Sequence, residues 1–390
     1  MNPLNSSSRL FAAYGSAALW NVCIGMAQVL VPLYALSLGF SVLKVSSVVA
    51  VPAVGEIPVR FLGGALSDRF GERRMLQICY LLMALAGLAL VSAETYLQLM
   101  VAQGIAYFSR STFWTSIQSL ASQLPGASTG KKLGRISACN YGGGMVGLSV
   151  GGLVAALLGF RRSFLLLTLL ALLCAMLGLL LPHVEPKPMG RSVWRIGAGI
   201  ARLLGYRRIW LVIIISYAAA LPPSLTQSIY PLYLAQLDYG GQWIGLMLST
   251  RSVGPILTGL LLGAVIVPAR QKIIYAVGMG FLGLFLLGSG ATGDPILLML
   301  CIAGLGAAGG IMDLLYLVEA SEQSTTSDRS VAMASMGSGW NLSPLITPLA
   351  VGWLVEVYGF QFAFWASGLF FLFVAAGTRL WHRLLAPTKD

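Results

Sequence analysis

Runs of eighteen or more mostly apolar residues recur along the whole chain, and no other feature constrains its fold as tightly. As a helix rising about 1.5 Å per residue, each run is long enough to cross a hydrocarbon core of about 30 Å. Lipid offers backbone groups no hydrogen-bond partner, so a segment inside it is either a helix or part of a closed barrel. The apolar–polar alternation of a barrel strand is absent from these runs. The chain is therefore expected to be an all-α integral membrane protein. Composition agrees: 57% of the 390 residues are apolar and only 10% are charged. A water-soluble surface draws on about 25% charged residues.

The runs place twelve spans at about 11–38, 43–66, 75–93, 97–120, 136–158, 163–182, 209–235, 243–265, 273–291, 295–319, 331–357 and 362–384. Basic residues sort by side. Lys44, Arg161 and Arg162 lie in the odd-numbered connections, whereas nineteen lie on the opposite side, among them Arg9, Arg74, Lys131, Lys132, Arg135, Arg207 and Arg208. The positive-inside rule then puts both termini in the cytoplasm of a multi-pass protein of the plasma or bacterial inner membrane. The net charge of +12 is thus a topology signal and calls for no nucleic-acid partner. The first run is too long for a signal core and is expected to remain as a membrane helix.

The longest polar stretch divides the chain into a six-helix bundle at 1–182, a cytoplasmic linker at 183–208 and a second six-helix bundle at 209–390. The linker sets Trp194, Ile196, Ile200 and Leu203 among Arg191, Arg195 and Arg202. It is either a basic helix on the lipid surface or a plain tether. The halves repeat. Pro32-Leu33-Tyr34 recurs 199 residues later as Pro231-Leu232-Tyr233, and Val54-Gly55 as Val253-Gly254 at the same offset. Gly159-Phe160 recurs 200 residues later as Gly359-Phe360. Two pseudo-symmetric bundles place a solute site near the membrane midplane, between halves that rock against each other.

The loop after the second span reads Gly64-Ala65-Leu66-Ser67-Asp68-Arg69-Phe70-Gly71-Glu72-Arg73-Arg74. It resembles the cytoplasmic signature of the major facilitator superfamily, with Glu72 where a basic residue is usual. The resemblance covers the whole chain. It implies the twelve-helix fold of those transporters and a gating role for Gly64, Asp68, Arg69, Gly71 and Arg73. In that family the aspartate meets nearby arginines and the start of the eleventh helix, holding the outward-facing state; here that start lies near Val331. The fifth span carries Gly143, Gly147, Gly151 and Gly152 and is similar to the family's antiporter motif, with Leu148 in place of its proline. Small residues at this spacing serve either the antiporter function or close helix packing alone. The fourth span has Leu97, Gln103 and Gly104 of another family signature, but Val101 where its arginine belongs.

Ionisable residues at membrane depth cost about 2.5–3.5 kcal/mol each and are functional candidates by default. Glu56, Arg60, Arg110, Arg251, Asp313 and Glu319 are of this kind. Glu56 and Arg60, four apart, share a helix face and form either a structural ion pair or part of a site. Gln103, Tyr107, Arg110, Trp114 and Gln118 make one helical stripe on the fourth span. The resemblance puts that span on the central cavity, where Arg110 would hold an anionic group or pair with Glu56 in the empty carrier. Asn21, Gln28 and Pro32 form a similar stripe on the first span. On the seventh, Pro222-Pro223 precedes Gln227 and Tyr230, and Asn341 is polar on the eleventh. A carboxyl group out of water takes up a proton more readily, so Glu56 and Asp313 are the proton-coupling candidates. Glu319 is expected at a solvated helix end.

Cys23, Cys79, Cys139, Cys174 and Cys301 all sit in apolar runs, without metal-ligand spacing, and only His183 and His382 could add imidazoles. No metal or other cofactor is expected. No catalytic triad, phosphate loop or metal cluster is legible, so the chain is not expected to be an enzyme. The leading expectation is a monomeric secondary transporter set in the lipid bilayer, proton-coupled, exporting a small amphipathic or anionic metabolite or drug. Two others stand beside it. Asn140-Tyr141-Gly142-Gly143-Gly144 is similar to the nitrate carriers' N-x-G-G-G, which with Arg60 suggests uptake of a small anion. A non-transporting receptor or scaffold on the same fold is the third.

Overall fold

In lipid, a run of apolar residues must close its own backbone hydrogen bonds, and the computed structural model of the chain shows how each run does so. It describes residues 6–56, 70–124, 129–182, 207–262, 271–323 and 338–378. The helices are α1 (Ser6–Ser37), α2 (Val42–Ala50), α3 (Glu72–Ser92), α4 (Tyr96–Gln123), α5 (Thr129–Leu158), α6 (Phe160–Gly178), α7 (Arg207–Thr226), α8 (Ile229–Gln236), α9 (Gly241–Ser249), α10 (Val253–Leu262), α11 (Gln271–Ala291), α12 (Pro295–Gln323) and α13 (Ser338–Ala376). Tight 3₁₀ turns follow α2 at Val51–Gly55 and α9 at Thr250–Ser252. No strand occurs among the described residues.

Eight helical segments among the described residues are long and apolar enough to cross a membrane, rather than the twelve expected. The difference has local causes. α4 is 28 residues long, but its stripe of Gln103, Arg110 and Gln118 dilutes its apolar character. The second and eighth spans are broken by the two 3₁₀ turns and run on into residues 57–69 and 263–270, outside the described residues. α13 takes in the described parts of both of the last two expected spans, and its non-helical residue Gly359 (φ 84°, ψ 167°) marks the turn between them. Most of the linker, 183–206, also lies outside the described residues.

The sequence repeat is visible in the backbone. Gly159, which caps α6, has φ 75° and ψ 168°, nearly the values of Gly359 two hundred residues on. Only glycine adopts such angles without strain. Gly39 after α1 and Asp238 after α8 also share positive φ, 80° and 61°, at the offset of 199. Both 3₁₀ turns fall at that offset too, just before Glu56 in one half and around Arg251 in the other.

The described residues fall into two compact units, from 1–40, 51–190 and 238–249 in one and from 41–50, 191–237 and 250–390 in the other. In the first unit α5 lies on α1 with almost no gap. A Cβ on Gly143 would stand 2.2 Å from the Ala18 carbonyl oxygen, one on Gly147 2.2 Å from that of Val22, and one on Gly151 2.8 Å from Met26 Cα. Gly152 turns to α9, where its added Cβ would lie 2.1 Å from the Gly241 oxygen. The glycines of the fifth span therefore pack helices. In the second unit α2 packs against α13: the Glu356 carboxylate accepts from the Leu43 amide at 3.2 Å, at the exposed start of α2.

Candidate functional site

The first unit's site grows from the break in the second span. α2 stops at Ala50, the backbone tightens through Val51–Gly55, and Glu56 follows with 2% of its surface exposed. α4 supplies the other half. Its Arg110 Nε lies 3.8 Å from Glu56 Oε1. The guanidinium also stands over the Tyr107 ring, 5.3 Å from its centroid, one α4 turn away. Ser111 Oγ donates to the Glu56 backbone oxygen at 3.5 Å. Glu56 Oε2 is buried and accepts no hydrogen bond among the described residues. The structure thus pairs Glu56 with Arg110, one of the two readings open for Arg110, while Arg60, the partner four residues on, lies outside the described residues.

The rest of the α4 stripe is divided. Gln103 is buried, Trp114 half-buried and Gln118 exposed. Trp114 meets Trp20 edge-on at 6.4 Å, and Trp20 stacks on Phe113 at 3.7 Å. On α1, Asn21 gives its amide to Ala17 O and to Asn140 Oδ1, at 2.9 and 2.8 Å, so it ties α1 to α5. Gln28 is half-buried.

The second unit repeats the theme of a charge at a helix break. Pro222 and Pro223 carry no amide hydrogen, and α7 ends at Thr226. Thr226 Oγ1 donates to the Pro222 oxygen at 2.9 Å. It accepts from Arg251 Nη1 at 2.6 Å, and Arg251 sits on the 3₁₀ turn of the eighth span. Gln227 in the same break is buried, as is Asn341 on α13. Tyr230 is committed to the core: its hydroxyl shares a hydrogen bond of 2.6 Å with Ser289, and its ring packs on Phe364 at 5.1 Å. Asp313 on α12 is half-buried and hydrogen-bonded by the Trp340 side chain. Glu319, expected at a solvated helix end, is instead 2% exposed.

One polar element of the second unit is almost invisible in the amino-acid sequence. Tyr217 and Ser224 on α7 and Ser343 and Thr347 on α13 form a hydroxyl chain with contacts of 2.8, 3.2 and 3.0 Å. The i, i+7 and i, i+4 spacings of these residues are its only trace in the sequence, because hydroxyls are common in membrane helices.

At the cytoplasmic loop, Gly64, Asp68 and Arg69 lie outside the described residues. Gly71 caps α3 with φ 83°. Glu72, the departure from the family pattern, is buried and accepts from Ser119 Oγ at 2.7 Å and Gln123 Nε2 at 2.9 Å. Arg73 donates to the Leu179 carbonyl at 2.5 Å, at the end of α6. No group of three or more metal-ligating side chains occurs among the described residues.

A family model described as Major Facilitator Superfamily matches residues 13–244 and 219–390. The quinolone resistance protein NorA of Staphylococcus aureus is 21% identical over 230 residues, which cover 59% of this chain and 59% of that protein. The multidrug resistance protein MdtG of Enterobacter lignolyticus is 26% identical over 204 residues, 49% of this chain and 47% of its own length. Less than two-thirds of either relative is therefore matched. Among solved structures, the nucleoside transporter NupG superposes with a TM-score of 0.79 at 16% identity, covering 98% of this chain and 100% of that one. A POT family transporter in complex with 5-aminolevulinic acid gives 0.77 at 11% identity, covering 98% and 96%. Likenesses at such identities speak for the fold alone.

Proposed function

The chain belongs to the major facilitator superfamily, a family of membrane transporters rather than enzymes, and from that premise we propose that it is a proton-coupled exporter of a small amphipathic or anionic metabolite or drug. The proposal includes twelve helices in two six-helix bundles joined by the 183–208 linker, alternating access between them, a monomer, and an inner-membrane location with both termini cytoplasmic. Its main support is the Glu56–Arg110 pair, in which the Glu56 carboxylate is buried and one of its oxygens accepts no hydrogen bond among the described residues. A carboxylate held this way is a place where a proton and an ion compete for one position. Asp313 against Trp340 is the second coupling candidate. The resistance proteins among its relatives favour export, and the match spans 59% of NorA and 47% of MdtG.

Reconstituted protein is expected to move protons when an exported compound is supplied. If Glu56→Gln and Asp313→Asn both leave that exchange unchanged, the coupling assignment is wrong. Uptake of a small anion has weaker support. Asn140 of the N-x-G-G-G segment is bonded to Asn21 and Gly143 is pressed on Ala18, so both serve packing. Anion binding lost in Arg60→Ala would favour it. A receptor or scaffold would show no solute flux in proteoliposomes.

A further inference from the structure

The hydroxyl chain of the second unit has a direction. Each hydroxyl carries one proton. Ser224 Oγ donates to the Ala220 carbonyl at 2.7 Å, and a carbonyl can only accept. The Ser224 proton is thereby used, so the 3.0 Å contact with Ser343 requires Ser343 to donate. Thr347 must then donate to Ser343 across 3.2 Å, and Tyr217 to Thr347 across 2.8 Å. Every proton points inward, from Tyr217 toward Ala220.

Three of the four members are shut away: Ser224 and Ser343 have 0% exposure and Thr347 has 2%. Tyr217 is half-buried and stands on the α7 face that also carries Trp210 and Ile214, both exposed. The close approach that assembles the chain comes from Gly339, where an added Cβ would lie 2.1 Å from Ser216 Oγ and 2.4 Å from the Tyr217 nitrogen. A phenol whose proton is fixed inward offers only lone pairs outward. It can accept a hydrogen bond but not give one.

We propose that Tyr217 is a solute-contacting residue acting as a fixed hydrogen-bond acceptor, selecting solutes that carry an N–H or O–H donor on an apolar body. This deepens the transporter reading and rests on it. The chain sets the selectivity, because cutting it at Thr347 frees the Tyr217 proton to turn outward. Acceptor-bearing solutes would then be tolerated as well.

The test does not depend on the identity of the natural solute. Ultraviolet resonance Raman spectra of the purified protein, wild type minus Tyr217→Phe, isolate the Tyr217 ring doublet, which reports whether the phenol donates or accepts. A donor signature in wild type that is lost in Thr347→Val is expected; an acceptor signature, or no change in Thr347→Val, overturns the ordered chain. In proteoliposomes, Tyr217→Cys should react with the water-soluble thiol reagent methanethiosulfonate ethylammonium above the wild-type background. No reaction means the residue faces lipid, and the inference falls. Equilibrium dialysis then compares phenethylammonium with its N,N,N-trimethyl analogue, which has the same ring and charge but no N–H donor. Wild type should bind the first about tenfold better, the size of one hydrogen bond to a charged donor, and Tyr217→Phe should erase that preference. Equal binding of the two, or binding of neither, overturns the donor selection. The Raman and thiol measurements read out without flux. A chain that passes them yet moves no solute refutes the transporter reading, whereas flux with an unreactive Cys variant refutes only the role of Tyr217.

Discussion

Tyr34 and Tyr233 stand 199 residues apart and make the same contacts in their own halves. The Tyr34 hydroxyl donates to the Ala93 carbonyl at 2.7 Å, just past the end of α3, with its ring against Phe160 and Phe164. The Tyr233 hydroxyl donates to Ser289 and Thr292 carbonyls at 3.0 and 3.1 Å, near the end of α11, with its ring against Phe360 and Phe364. Both hydroxyls satisfy carbonyls that a helix C-terminus leaves without partners. Tyr34→Phe and Tyr233→Phe are each expected to cost about 1–2 kcal/mol. The two sites share no neighbours, so the double variant should lose the sum within about 0.5 kcal/mol. Unfolding of the three variants in detergent checks this, and strong non-additivity would contradict two independent locks.

The α5 glycines make a sharper demand. Gly147 has the Val22 oxygen 2.2 Å from where a Cβ would stand, whereas Gly144 has nothing within 4 Å. Gly147→Val is expected to lower stability by at least about 1–3 kcal/mol, because neither backbone can yield without parting α1 from α5. Gly144→Ala should be close to neutral. Thermal midpoints of the two purified variants separate these outcomes, and equal midpoints would refute the packing role.

The Arg251–Thr226 bond joins two breaks, the end of α7 and the 3₁₀ turn before α10. Thr226→Val removes one acceptor and is expected to cost about 1–2 kcal/mol. Arg251→Ala should cost more, since it also strips a guanidinium from a turn whose backbone is packed on Gly306. Unfolding midpoints rank the two, and a reversed order would show that Thr226 matters for something other than this arginine.

Much of this is legible in the amino-acid sequence, for identifiable reasons. Lipid forces helices, so apolar length alone locates most of them. Gly159 and Gly359 are marked by their offset, and a positive φ that only glycine tolerates easily explains why both halves keep one there. Glu56 and Arg110 stand out because charge at membrane depth needs a partner, but the sequence leaves both Arg60 and Arg110 open as the partner of Glu56. What escapes the sequence depends on direction. Asn21 and Tyr230 have the same polarity as site residues, but one turns to Asn140 and the other to Ser289. The glycines of the fifth span fit an antiporter motif and a packing face equally well until α1 is seen against them. The Tyr217 chain joins α7 to α13 across a sequence separation of 130. No local pattern announces such a pairing.

The Glu56–Arg110 pair yields the most demanding test. Removing one member of a fully buried ion pair costs about 3–5 kcal/mol, which is the upper bound for this largely buried one. Arg110→Ala is therefore expected to destabilise strongly. Glu56→Gln should cost less than Glu56→Ala, because the amide still offers an oxygen to the guanidinium. Replacing both, as Glu56→Gln with Arg110→Met, removes both charges and should recover much of the stability lost in Arg110→Ala alone. Transport should not recover, because the position at which proton and ion compete has gone. Unfolding and proteoliposome flux on the same four preparations separate the two roles. Stability and flux recovering together in the double variant would mean the pair is a structural tie and the coupling group lies elsewhere.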